Sequence, residues 1–112
     1  MILAQNVVSD MLVTVKSREV QRGLLSEMGG RTKQARQHFL AAAHLELVLA
    51  GDYEEAGDVE LARRSRISAA SCFWRAGEQD RAHPIFSELV QEAPDRRGEI
   101  EELLEELQGK RE

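Results

Sequence analysis

One phrase occurs twice in this chain: a glycine, an alanine five positions later, and a phenylalanine four beyond that. It is Gly30, Ala35 and Phe39 in GGRTKQARQHFLAAAHLE (29–46), and Gly77, Ala82 and Phe86 in AGEQDRAHPIFSELVQEAP (76–94). All three positions are offset by 47, and the same offset sets Ala42 opposite Leu89. The spacing is that of a helical hairpin. Glycine accepts the left-handed conformation that ends one helix. A small alanine early in the next helix lets the pair approach closely, and phenylalanine one turn on fills the space where they diverge. A chain that uses this device twice is committed to antiparallel helices.

The remaining segments agree. Leu3, Val7, Met11 and Val15 recur every four residues, with Val8 and Leu12 beside them and Val20, Leu24 and Met28 continuing the pattern, so 1–28 reads as a helical segment. Its patch MLVTV is β-branched, but no second strand-like run exists to pair with it, and Lys16–Ser17 is where the helix would break. A second helix is expected over 31–50, stopped or bent by Gly51-Asp52, with GDYEEAGD as a single turn or a loose connection. Asp58 is a suitable N-cap for a third helix ending at Gly77, with Glu60 and Arg75 placed to suit its dipole. A fourth runs to about 92, where Pro84 predicts a late start or a kink. The last, 97–108, puts Ile100, Leu103, Leu104 and Leu107 on one face and glutamates on the rest, as a capping helix does. The fold expected is all-α: one domain over 1–112, built of four to five antiparallel helices, as a short solenoid or a bundle.

Composition narrows the function. The content is 42% hydrophobic but only 4% aromatic, which describes an aliphatic core, and a net charge of −5 argues against nucleic acid as a partner. The lone Cys72, in the apolar setting AASCFW, reads as a packed thiol and gives no sign of an oxidising compartment. The N-terminal segment lacks a basic start and is interrupted by Gln5, Asn6, Ser9 and Asp10, so neither a signal peptide nor a membrane span is expected, and a cytoplasmic protein is. His38, His44 and His83 have no metal-pair spacing, and the acidic run Asp52 to Glu60 lacks the alternation of a calcium loop, with Arg63 where the closing glutamate belongs. No metal or cofactor is expected. Arg63, Arg64 and Arg66 follow that acidic run and are expected to pair with it.

The segment FWRAGEQDRAHPIFSELVQEAP resembles one tetratricopeptide-type repeat across its turn and second helix, through Gly77, Ala82, Phe86 and the closing Pro94, and 58–94 is its best-matching stretch. Gly30, Ala35 and Phe39 match the same phrase without the proline. The repeat offset exceeds the usual ~34 residues, and the family's tryptophan and tyrosine pattern is missing from the first helices. The helix lengths are also similar to those of the long-helix soluble attachment proteins of membrane fusion. The resemblance implies an interaction module holding a partner peptide or helix, an adaptor or small chaperone, with no catalysis. The Lys and Asn clamp of one subtype is not carried over, since the only asparagine, Asn6, lies outside the repeats.

Trp74 is the residue chosen for partner binding, together with Ile67 and Ala70 on its face and the cations Arg63 and Arg66 nearby. Ala62, Ala69, Phe73 and Ala76 form the other face of that helix, and one of the two is expected to be core. An open helical face makes homodimerisation a second expectation, so the alternative function is a self-assembling structural subunit. A remote alternative is a small helical ribonuclease-like protein, in which His38 would serve as base and Arg31 would stabilise charge.

Overall fold

The computed structural model describes residues 2–109, and the side chains of residues 7–109. Five α-helices follow one another: α1 (Ile2–Met28), α2 (Thr32–Glu55), α3 (Val59–Arg75), α4 (Gln79–Glu92) and α5 (Arg97–Leu107), with a short 3₁₀ turn at Pro94–Arg96 before the last. No strand occurs among the described residues, so the fold is all-α. Helix α1 passes through MLVTV and Lys16–Ser17 without a break. With no strand to pair with, the backbone of that β-branched patch is satisfied only within its own helix. Leu3, expected on the stripe of α1, has its side chain outside the described residues.

The three turns between the first four helices share one construction. Gly30, Gly57 and Gly77 have φ of 75°, 80° and 84°. In each, the residue after the glycine donates its N–H to a carbonyl five positions back: Arg31 to Ser26 at 2.8 Å, Asp58 to Tyr53 at 2.8 Å and Glu78 to Phe73 at 2.8 Å. This is the Schellman closure, which satisfies the last carbonyls of a helix while reversing the chain. Five residues past each glycine stands an alanine, Ala35, Ala62 or Ala82, and all three are buried. The doubled phrase is thus a tripled one, with Phe39 and Phe86 filling the interior after the first and third turns and Arg66 standing in that place after the second.

One expectation is corrected, and one of two alternatives is settled. Gly51 does not end α2; the helix runs on to Glu55 and stops at Ala56-Gly57. An interior glycine costs only about 1 kcal/mol relative to alanine, and the stripe of Glu46, Leu49, Ala50 and Tyr53 continues to pack beyond it. Of the two outcomes expected at Pro84, the late start does not occur: α4 begins at Gln79 and carries the proline inside. Pro84 is exposed, so the carbonyl it leaves unpaired on Asp80 has access to water.

Each of the first four helices packs on its chain neighbours, and α5 returns to lie against α3 and α4. The molecule measures 44 × 32 × 20 Å, about two helices thick in its short direction. Ala42, Ala43, Ala69 and Ala70 are fully buried, which permits the close approach of α2 and α3. Phe73, Phe86, Leu89 and Ile100 complete the main core, and Leu103, Leu104 and Leu107 pack half-buried against it, so the apolar face of α5 covers the body as the amphipathic pattern requires. A smaller cluster of Ala35, Phe39 and Ala76 seals the end where α1 turns into α2.

Candidate interaction surface

Among the described residues, the backbone of α1 packs closely only on α2, and one ion pair, Glu27 with Arg75 at 3.6 Å, ties it to α3. Its inward side is built for a close crossing. A Cβ placed on Gly23 would stand 2.9 Å from the ring of Phe39, so glycine is what lets α1 settle onto that ring. One and a half to two turns earlier, Lys16 reaches the buried carboxylate of Glu46 at 3.4 Å. Glu19 accepts from the Nδ1 of His38 at 2.8 Å and also pairs with Arg22 at 3.2 Å. Near the other end, the Ser9 hydroxyl donates to Asp52 at 3.4 Å.

The outward side has no such partners from its own chain. Val7, Met11 and Val15 stand one turn apart, with Val8 beside them and Leu25 further along the same side, and these five are 57%, 62%, 44%, 51% and 61% exposed. Among the described side chains, every exposed large hydrophobic except Val48 and Val59 belongs to α1. Isolated exposed apolar residues are ordinary, but a contiguous apolar stripe is where monomers keep their interaction sites. A helix apolar on two sides is shaped to lie between two neighbours. Within the chain it has one.

The residues chosen from sequence sit elsewhere. Ala70 is fully buried, and Ile67 and Trp74 pack half-buried against the same core that holds Phe73. Trp74 meets the ring of His83 edge-on, with centroids 5.1 Å apart. Both faces of α3 are therefore packed, because this helix has α2 on one side and α4 and α5 on the other. Arg66 grips Glu92 through two hydrogen bonds of 2.9 and 3.1 Å and reaches Glu88 at 3.5 Å. That hydrogen-bonded pairing holds the Glu92 carboxyl below its ordinary value and raises the guanidinium. For Arg66 this is a tie from α3 to α4, and Glu60 of the acidic run pairs with Arg96. Arg63 has its Nε buried without a hydrogen-bond partner. Asp58 does what its position predicts, accepting from the Leu61 N–H at 3.1 Å as the cap of α3.

Concave regions lie apart from the stripe, one of about 350 Å³ between α4 and α5 beside His83, Arg97 and Glu101. A groove of about 220 Å³ runs over α2 between α1 and α3, touched by Val13, Lys16, Glu46, Tyr53, Arg64 and Ser68. Burial, followed by the carboxylates of Glu46, Asp10, Asp58 and Asp52, pushes the Tyr53 phenol up there. A basin of about 500 Å³ is bordered by Lys33, Arg36, Gly77 and Glu78. Cations and carboxylates mix in each of these. Burial, with the Glu46 charge behind it, pushes the Cys72 thiol up to about 11, the condition of an inert packed thiol. Arg31 caps the start of α2 and His38 lies two turns into it, held by Glu19. Among the described residues no helix is long and apolar enough to cross a membrane. No protein-family model, curated protein or solved structure matches the chain.

Proposed function

We propose that this protein is a protein–protein interaction module that binds through the outer face of α1. The observation that carries the reading is the uncovered apolar patch Val7, Val8, Met11 and Val15, with Leu25 beyond the exposed Arg18 and Arg22, on the helix whose backbone packs closely on α2 alone among the described residues. The proposal moves the binding face away from Trp74, whose ring packs against the core and His83. It keeps the class expected from sequence, an adaptor or small chaperone holding a helix or peptide, with the self-assembling subunit as its alternative. The tetratricopeptide-like resemblance belongs to the same proposal and rests on the Gly–Ala–Phe phrase alone. A non-catalytic role, a cytoplasmic setting and partners other than nucleic acid complete it, on the net charge of −5 and the single cysteine.

The test is stoichiometric capture on the tagged protein from its own cell extract, comparing wild type, Val7→Asp and Trp74→Ala. A partner held by wild type and by Trp74→Ala but lost by Val7→Asp is the expected result. Loss with Trp74→Ala and retention with Val7→Asp would return the site to α3.

A further inference from the structure

We infer that α1 is a releasable helix: it leaves α2 as a unit while α2 to α5 keep their packing, and so uncovers Phe39 and Glu46. The inference goes beyond the binding face proposed above, because it concerns the inner side of α1 and holds whatever the outer side meets.

The first observation is how little α1 puts into the interior. Among its described residues only Gly23 and Ser26 are buried. Leu12 and Val20 are half-buried, and Ser9, Lys16 and Glu19 make up the rest of the inward row. The large apolar residues that could anchor the helix, Val7, Met11, Val15, Leu24 and Leu25, are exposed. Helix α3, by contrast, buries Ala62, Ala69, Ala70, Cys72 and Phe73. Elements with few buried apolar side chains occupy the low-stability end of a fold and open before the rest.

The second observation is that the body has its core without α1. Every buried residue of the main core, from Ala42 to Ile100, belongs to α2, α3, α4 or α5. Among the described residues Val20 is what α1 adds to it, and Val20 is only half-buried. The Phe39 ring, which Gly23 meets on the α1 side, also has Arg75 of α3 over it, 5.5 Å from the centroid. Part of its cover therefore belongs to the body.

The third is the nature of the ties. Lys16 to Glu46, His38 to Glu19, Ser9 to Asp52 and Arg75 to Glu27 are all polar. Such groups exchange a protein partner for water at little net cost. Release of α1 returns Lys16 and Glu46 to water together, and the desolvation that the closed pair costs is recovered.

Hydrogen exchange resolved along the purified full chain, at low protein concentration and over a series of sub-denaturing urea concentrations, tests this. The amides to compare are those of 19–27 in α1, away from its first turns, and of 65–73 in α3. The α1 set is expected to be roughly tenfold or more less protected. Its urea dependence should be shallower, because its opening exposes only part of the surface that global unfolding does. Ile100→Val gives a second reading, since it weakens the body at a contact in which α1 takes no part. Exchange in α3 should then quicken several-fold while the α1 set is unchanged. Equal protection of the two sets in wild type, or α1 amides that quicken in step with α3 in Ile100→Val, would overturn the inference, because α1 would then open only with the whole fold. Neither reading involves a partner, so the capture comparison tests the outer face separately.

Discussion

Glu46 is the most exacting residue in the molecule, a carboxylate only 4% exposed with Lys16 at 3.4 Å. A buried charge is tolerated when it is paired, and stranding it is far worse than replacing the pair. Lys16→Met is expected to lower unfolding stability toward the lower end of about 3–5 kcal/mol, since Lys16 keeps some contact with water. The double variant Lys16→Met/Glu46→Leu should recover most of that loss in denaturant titrations. Glu92 has the opposite character, exposed and tied to Arg66 on the surface. Its folded value is depressed, so its contribution is present above the ordinary carboxylate value of 4.5 and lost as pH falls through the lower folded value. For so exposed a pair the contribution is at most about 1 kcal/mol. Glu92→Gln should therefore lower stability at neutral pH by at most about 1 kcal/mol and leave it nearly unchanged below the folded value, flattening the acid side of the stability profile. Cys72, with its thiol pushed up to about 11, should resist alkylation at pH 8 until the chain unfolds.

At the scale of the element, two helical glycines make opposite predictions. Gly51 has open space where a Cβ would stand, so Gly51→Ala should gain about 1 kcal/mol from helix propensity alone. At Gly23 the added methyl would meet the Phe39 ring at 2.9 Å. Overpacking there costs about 1–3 kcal/mol, enough to outweigh the propensity gain, and Gly23→Ala should melt at lower temperature than wild type while Gly51→Ala melts higher. The same glycines mark how far the sequence could be read. Gly30 and Gly77 announced their turns because each is followed by the alanine and phenylalanine that define the hairpin. Gly51 and Gly57 are both followed by aspartate, so local signals could not rank them as the end of α2. The deciding information was tertiary: Tyr53 continues the stripe that Glu46, Leu49 and Ala50 present to the neighbouring helices. The phrase at Gly57 and Ala62 went unread because Arg66 replaces its phenylalanine.

For the whole molecule, what matters is which helices have two neighbours. Helices α2 and α3 do, α5 closes the body against α3 and α4, and the outer side of α5 carries Glu101, Glu102 and Glu105 to water. Helix α1 has one neighbour and an apolar second side. The stripe Val7, Met11, Val15 was visible in the sequence, but periodicity alone could not say which side of a helix apolar on two sides would face α2. Trp74 drew attention as the single large aromatic, and its burial follows from α3 being interior, a fact of packing order that no local pattern encodes. The central claim, that the outer face of α1 is a binding surface, is tested most directly by stoichiometric capture from the protein's own cell extract with wild type and Met11→Glu. The account predicts a partner, foreign or a second copy, that is held by wild type and lost by Met11→Glu while the helical spectrum is unchanged. Equal capture by both would place the contact on another face and contradict the account.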